Sequence, residues 1–219
     1  MTTPGIFLVI EGADGVGTTT QAKLVYDHLT QRRIKSVLTA EPSTGAIGRL
    51  IRSVLQKETK VQLSSRGMAA LFFADRVDHL GTVVEPALQR GEWVVCDRHF
   101  HSSLVYQGLA LEDQTCAAEE AHWVQQLHQG ALPVGYTLVL DVPFCTARAR
   151  RIHRAEPEQV FESDAYQQRV IAAYRRMPNW DWTAHVIECG EDAIDVVHAK
   201  IVKTIDHIIE SFENGQKKY

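Results

Sequence analysis

The run Ile6-Phe7-Leu8-Val9-Ile10 opens directly into Glu11-Gly12-Ala13-Asp14-Gly15-Val16-Gly17-Thr18-Thr19-Thr20-Gln21. Five successive apolar residues describe a strand buried on both faces, the central strand of a parallel sheet. From Thr18 to Arg32, Ala22, Val25 and Leu29 recur at helical spacing. Three glycines between a buried strand and a helix let consecutive backbone N–H groups turn toward one point. The helix N-terminus adds its partial positive charge there, so the unit is suited to hold a phosphate. In the pattern G-x-x-x-x-G-K-[ST], Gly12 and Gly17 match, and Thr19 stands where a hydroxyl ligates Mg²⁺. Thr18 occupies the lysine position. Taken alone, the loop also fits a tight glycine turn with no ligand.

The rest of the chain repeats the strand-then-helix rhythm of a parallel sheet covered on both faces. Further strands are expected at Ser36–Thr39, Trp93–Cys96, Tyr136–Leu140 and Ala184–Ile187. Helical patterns fall at Ile47–Gln56, Ser64–Gln89, His101–Gln107, Thr115–His128, Asp164–Met177 and Asp192–Phe212. Pro86 is expected to kink the long second pattern or to open a second segment, and Pro143 to open a helix after the fourth strand. Arg148 to Gln159 is basic and then Pro/Glu-rich, which suggests a mobile loop. Five strands with helices between them give an α/β, three-layer, doubly wound parallel sheet. The 219 residues suit a single domain, 1–219, with a frayed tail at about 213–219.

Charge and composition exclude several classes. The chain has 23 Lys+Arg against 27 Asp+Glu, a net charge of −4, so it does not bind nucleic acid through bulk positive charge. No apolar run is long enough to span a membrane. The N-terminus has no basic region followed by a long apolar one, so no secretory signal is expected. Cys96, Cys116, Cys145 and Cys189 form no C-x-x-C, which excludes a zinc ribbon and suits reduced thiols in the cytoplasm. His99-x-His101 lacks a carboxylate or cysteine at ligand spacing nearby, so no metal is expected on it.

Charged and aromatic residues gather in four further places. Glu41-Pro42-Ser43-Thr44 follows the second strand, with Arg49 and Arg52 after it. Phe72 and Arg76 are i and i+4 on one helix, able to stack a base and hold a phosphate, though an isolated pair of this kind is more often a core ring and a surface cation. Asp97-Arg98 ends the third strand where doubly wound folds place ligands, and Ser102-Ser103-Leu104-Val105-Tyr106-Gln107 follows; an internal ion pair is the plainer reading of Asp97-Arg98. Arg148, Arg150, Arg151 and Arg154 form a basic stretch that reads either as a solvated helix face or as the charge that Thr18 cannot supply.

With these segments in order, the chain resembles the thymidylate kinases among the P-loop nucleoside monophosphate kinases. The likeness rests on the Glu11–Gln21 loop, Glu41-Pro42, Phe72 to Arg76, the Asp97–Gln107 segment, Leu140-Asp141-Val142-Pro143 and the arginines before Phe161-Glu162. It runs over nearly the whole chain and implies a P-loop NTPase fold with a lid at about 148–162. It implies that Gly12, Ala13, Asp14, Gly15, Val16, Gly17, Thr18, Thr19 and Thr20 bind ATP. Thr19 and Asp14 would organise Mg²⁺. Phe72 would stack on thymine, Arg76 and Gln107 would bond the base with Ser103 beside it, and Tyr106 would lie under the deoxyribose. Arg52 and Arg98 would hold the acceptor phosphate, and Arg150 and Arg154 would close over the ATP phosphates. Asp14, Arg98, Arg150 and Arg154 are the catalytic set.

The resemblance further implies a homodimer through packed helices, for which the apolar stretch from Leu71 to Leu88 could serve. The chain departs from the family pattern at Thr18 for lysine, Ala40 for arginine, Ser43-Thr44 for a glycine pair and His99 for tyrosine, and Val160 stands near an expected lid arginine. Gly15 stands where some relatives carry a loop arginine. The expected reaction is ATP + dTMP giving ADP + dTDP. The alternatives are a kinase for another pyrimidine monophosphate and a non-catalytic nucleotide-binding homologue.

Overall fold

The computed structural model describes residues 5–109, 118–128, 135–153, 161, 163–177 and 183–213. Its centre is a five-stranded, all-parallel sheet in the order β2-β3-β1-β4-β5. The strands are β1 (Phe7–Gly12), β2 (Ser36–Ala40), β3 (Trp93–Asp97), β4 (Tyr136–Asp141) and β5 (Ala184–Glu188). β1 is buried at every position, as its unbroken apolar run requires of a central strand, whereas the edge strand β2 is only partly buried. Three strands run past their last apolar residue: β3 to Asp97, β4 to Asp141 and β5 to Glu188. The backbone pairing continues there, Ala40 against Asp97 and Asp141 against Glu188, so polar side chains are held at the carboxyl edge of the sheet.

The helices are α1 (Thr18–Gln31), α2 (Ala46–Leu55), α3 (Ser65–His79), α4 (Glu85–Gln89), α5 (Phe100–Ser102), α6 (Ala118–Leu127), α7 (Phe144–His153), α8 (Asp164–Arg176) and α9 (Ile194–Glu213). They cover both faces, and two apolar clusters result. On one side Leu8, Ile10, Val95 and Leu138 pack with Val25 and Leu29 of α1 and Ile201 and Ile205 of α9. On the other, Phe7, Val9, Val94 and Cys96 meet Leu80, Val84 and Ala87. The alternation of Phe7 and Val9 against Leu8 and Ile10 is the period-two output of one strand feeding two cores.

One expectation is met and two are corrected. The long pattern from Ser64 to Gln89 divides as expected, with Pro86 opening α4 after a π-helical turn at Leu80–Val84 that joins it to α3. Proline has no N–H for the preceding turn, and a wider turn absorbs the loss. The helix expected from His101 to Gln107 is the short α5 followed by a second π-helical turn, Ser103–Gln107. Arg148 to His153, expected as the start of a loop, is the C-terminal half of α7; the remainder of that stretch, 154–159, lies outside the described residues.

Among the described residues Cys96, Cys145 and Cys189 are free thiols, and no helix is long and apolar enough to cross a membrane. Leu138, fully buried on β4 between β1 and β5, serves as a gauge of the core. Leu138→Ala is expected to lower stability by about 2–5 kcal/mol in urea unfolding, by lost transfer energy and the cavity left behind.

Candidate active site

The loop between β1 and α1 has the backbone of an anion cradle. Gly12, Gly15 and Gly17 have φ of 154°, 90° and 102°, and α1 begins at Gly17 without a side-chain cap. Uncapped first-turn N–H groups and the helix dipole point at the same place. Space beside Gly17 is open, with nothing within 4 Å of where a Cβ would stand. Gly15 is closed off: a Cβ there would lie 2.4 Å from the Ala147 carbonyl oxygen of α7. No side chain fits at position 15, so any cation serving this loop comes from another element. Ala13 and Val16 are buried anchors, Thr18 is buried, and Thr19 and Thr20 are exposed. One expected donor is already spent, because the Asp14 N–H donates to Gln167 Oε1 at 3.3 Å.

Beside the loop, at the carboxyl edge of the sheet, lies a cavity of roughly 400 Å³ lined by charged and aromatic side chains, among them Arg52, Phe72, Arg76, Arg98, Tyr106 and Gln107. Its floor is built on Glu41, a buried carboxylate following β2. Arg76 donates to Glu41 Oε2 from Nε at 2.8 Å, with Nη2 at 2.7 Å from the same oxygen. His79 Nδ1 and His99 Nδ1 meet Glu41 Oε1 at 3.1 and 2.9 Å. Burial alone would raise the Glu41 carboxyl pKa, but Arg76 and His99 outweigh it and hold it well below the usual carboxylate range. With Glu41 ionised, both imidazoles are best placed as Nδ1–H donors to it. Burial lowers the His99 pKa more than Glu41 raises it.

Ser103 does not line the cavity as expected. It is fully buried behind Arg76, whose Nη1 donates to its Oγ at 3.1 Å, and Ser102 faces the cavity instead. Gln107 is buried, and its Oε1 has no partner among the described residues. Arg52 is half-buried and donates to the carbonyl oxygens of Pro42 and Ser43.

Arg98 stands between the loop and this cavity. Its backbone is left-handed, φ 70°, a strained conformation for arginine held by surrounding bonds. The guanidinium donates to the Gly12 carbonyl at 2.9 Å, to Ser102 Oγ at 3.2 Å and to Asp14 Oδ1 at 2.7 Å, and lies 5.3 Å from the Tyr106 ring centre. Glu11 anchors the same turn, accepting from the His99 and Ser102 N–H groups at 2.8 and 3.1 Å and from Tyr174 Oη at 2.8 Å.

Thr19 and Asp14, the expected Mg²⁺ pair, have different partners. Both Asp14 carboxylate oxygens are engaged, Oδ1 by Arg98 and Oδ2 by Gln167 Nε2 at 2.9 Å. Thr19 Oγ1 instead meets Asp97 Oδ2 at 2.5 Å, and Asp97 Oδ1 is buried with no partner among the described residues. A hydroxyl beside a carboxylate with one uncommitted oxygen fits a hard divalent cation that also takes substrate phosphates and water. Among the described residues no group of three or more His, Cys, Asp or Glu is arranged to hold a metal ion.

On the far side of the loop, α7 presents two arginines with different commitments. Arg151 is nearly buried; it donates to the Asp14 carbonyl at 2.9 Å and lies 3.7 Å from Asp164 Oδ1. Arg150 is half-exposed and touches the loop through a single 3.3 Å bond to the Val16 carbonyl. Arg154 lies outside the described residues. Sequence reasoning did not find Glu41 as the partner of Arg76, Asp97 as the partner of Thr19, Phe161 as a cavity wall, or Gln167.

Comparison with known proteins bears on this geometry. A family model described as thymidylate kinase matches residues 10–201. Among curated proteins, a thymidylate kinase of Methylococcus capsulatus is 36% identical over 78% of this chain and 81% of its own length. A probable thymidylate kinase of Pyrococcus abyssi is 32% identical over 93% of this chain and 97% of its own. A solved structure of thymidylate kinase from Candida albicans superposes with a TM-score of 0.78 at 24% identity, covering 93% of this chain and 92% of that one, and so shares the fold.

The pocket's supports also set an acid limit on stability. His128 packs on Phe73 and Phe100 behind the cavity, with Nδ1 2.8 Å from the Val124 carbonyl. Burial, helped by Arg76, lowers its pKa to about 4. The unfolded chain takes up this proton first, near pH 6.5, so stability is full above that pH and declines as pH falls toward 4. His128→Leu is expected to flatten that decline in urea midpoints measured from pH 7 to pH 4.

Proposed function

The chain belongs to the thymidylate kinase family, and on that premise we propose how its own residues bind and join two nucleotides. It is a dTMP kinase, a phosphotransferase that moves the γ-phosphate of ATP onto dTMP and yields ADP and dTDP. The observation that carries the residue-level reading is Arg76, fully buried, paired to Glu41 and facing a cavity that opens beside the phosphate loop.

Thymine offers a carbonyl acceptor where cytosine offers an amino donor. A buried guanidinium fixed by a carboxylate presents only donors and cannot flip. It complements thymine O4, and against cytosine it would set donor on donor, leaving buried groups unpaired. Gln107 Oε1 supplies an acceptor for the ring N–H. Phe72 packs on the base, and Tyr106 lies along the sugar.

Arg98 and Arg52 take the acceptor phosphate. That phosphate is ionised at neutral pH, so the nucleophile needs no general base. The loop N–H groups of Gly15, Gly17, Thr18 and Thr19 and the α1 dipole hold the donor phosphates. Mg²⁺ bound with ATP supplies neutralisation of phosphate charge, and Thr19 and Asp97 would hold it. Positioning and charge make up nearly all of the catalysis in such a transfer. The reading extends to a cytoplasmic homodimer. Its helix face is limited, because Leu80, Val84 and Ala87 are used within the chain while Val77 remains exposed.

Thr18 leaves the loop without its cation. Arg150 is the replacement we assign, because its guanidinium meets the loop through one long bond while Arg151 is committed to the Asp14 carbonyl and Asp164. The test is ADP release with Mg·ATP, measured with and without dTMP and against dUMP, dCMP, AMP and GMP. Turnover dependent on dTMP, with dCMP rejected, is expected; binding of dTMP without turnover would mean a pocket kept and a chemistry lost. Arg150→Ala is expected to lower kcat by about 100-fold, and Thr18→Lys in that background to restore most of it. Rescue of Arg151→Ala by Thr18→Lys, but not of Arg150→Ala, would transfer the role to Arg151.

A further inference from the structure

Gln167, on the first turns of α8, is fully buried and uses its whole amide at the junction of the phosphate loop and the acceptor cavity. Its Nε2 donates to Asp14 Oδ2 at 2.9 Å and to the Phe161 carbonyl at 2.9 Å, while its Oε1 accepts from the Asp14 N–H at 3.3 Å. The amide orientation is forced: turned over, it would face a carboxylate and a carbonyl with its oxygen and an N–H with its NH₂. Asp14 passes this constraint on through Oδ1, 2.7 Å from Arg98 Nη2. Phe161 is a wall of the acceptor cavity, stacked on Tyr166 at 5.5 Å and 6.0 Å from the Tyr106 ring.

We propose that Gln167 is a positioning residue for phosphoryl transfer, fixing Asp14 and through it the Arg98 guanidinium, and at the same time seating the Phe161 wall. The inference rests on the dTMP kinase reading. Gln167 itself touches neither nucleotide. It converts the fold of α8 into the placement of two groups that do. The carboxylate of Asp14 has two oxygens and two clients. If the amide is lost, Oδ2 is left without its donor, the carboxylate is free to rotate, and Arg98 loses its fixed bearing while keeping its charge. The signature is therefore a loss that exists only while Arg98 is present.

The experiment is a double-mutant cycle on the full chain with Gln167→Met, close in volume and without hydrogen bonds, and Arg98→Ala. In the wild-type background Gln167→Met is expected to lower kcat by about 10–100-fold with little change in KM for ATP. In the Arg98→Ala background the same change is expected to cost less than about 3-fold, because residues that act as a unit are non-additive. Equal losses in both backgrounds, or wild-type kcat in Gln167→Met, would overturn the proposal.

Calorimetry supplies a readout free of turnover. Gln167→Met is expected to weaken dTMP binding more than thymidine binding, since Arg98 meets only the phosphate; equal weakening of the two would count against the proposal. An inactive wild type would instead defeat the kinase reading, and the calorimetric comparison would still decide the role of Gln167. Should methionine at this position prevent folding, Gln167→Glu keeps the size and removes the donors, and the same measurements apply. Failure of both variants to fold, judged by circular dichroism, would make Gln167 a residue of the fold at large and reject the positioning role.

Discussion

A carboxylate buried without partners would neutralise itself or disrupt the fold, and Glu41 is buried in the middle of the acceptor half of this molecule. It stays charged because two elements bring it a cation and donors: Arg76 and His79 from α3, and His99 from the turn after β3. His79 is in turn held through Nε2, 2.7 Å from Thr39 Oγ1 on β2. Removing Glu41 would leave Arg76 buried and unpaired, a loss of about 3–5 kcal/mol for a pair of this kind. The same carboxylate that fixes the pocket's floor fixes the Arg76 guanidinium beside it. A second buried acid, Asp75, does the same for the segment after β2, accepting from the Ser43 N–H at 2.7 Å and fixing the stretch that Arg52 braces.

Most of the fold could be read from the chain because the signals were local. The apolar run of β1, the glycines at fixed offsets and the helical spacing of Ala22, Val25 and Leu29 each act within a few residues. The carboxyl ends of the strands were set too short for a related reason: Asp97, Asp141 and Glu188 are polar, and only pairing with a neighbouring strand keeps them in the sheet. The site divides along the same line. Phe72, Arg76, Arg98, Tyr106 and Gln107 belong to short segments and were legible. The bond from Arg76 to Ser103 was not legible, because Ser103 lies in a π-helical turn, Ser103–Gln107, and no spacing rule announces such a turn.

The partners that make those residues useful were not legible, since each is far away in sequence. Glu41 and Arg76 lie 35 residues apart, Thr19 and Asp97 lie 78 apart, and Asp14 and Gln167 lie 153 apart. Asp97 had a weak signal, an acid ending a buried strand at the carboxyl edge of the sheet. Gln167 had none: a glutamine in an amphipathic helix looks like any solvated residue until the fold brings the loop against it.

This separation bears on the place of Thr18 in the loop. In a phosphate loop the backbone supplies geometry and the lysine supplies charge, and the two need not come from one segment. Here the geometry is intact, with Gly12, Gly15 and Gly17 in the conformations that the cradle needs. α7, to which the proposed function assigns the missing charge, lies so close that Gly15 has no room for a Cβ. Arg151 braces the loop from outside and Arg150 is left with donors to spare. A cation on a neighbouring helix depends on how that helix packs, whereas a loop lysine does not. The bonds around Asp14, from Arg98, Gln167 and Arg151 at once, tie the loop to the three elements that carry those side chains.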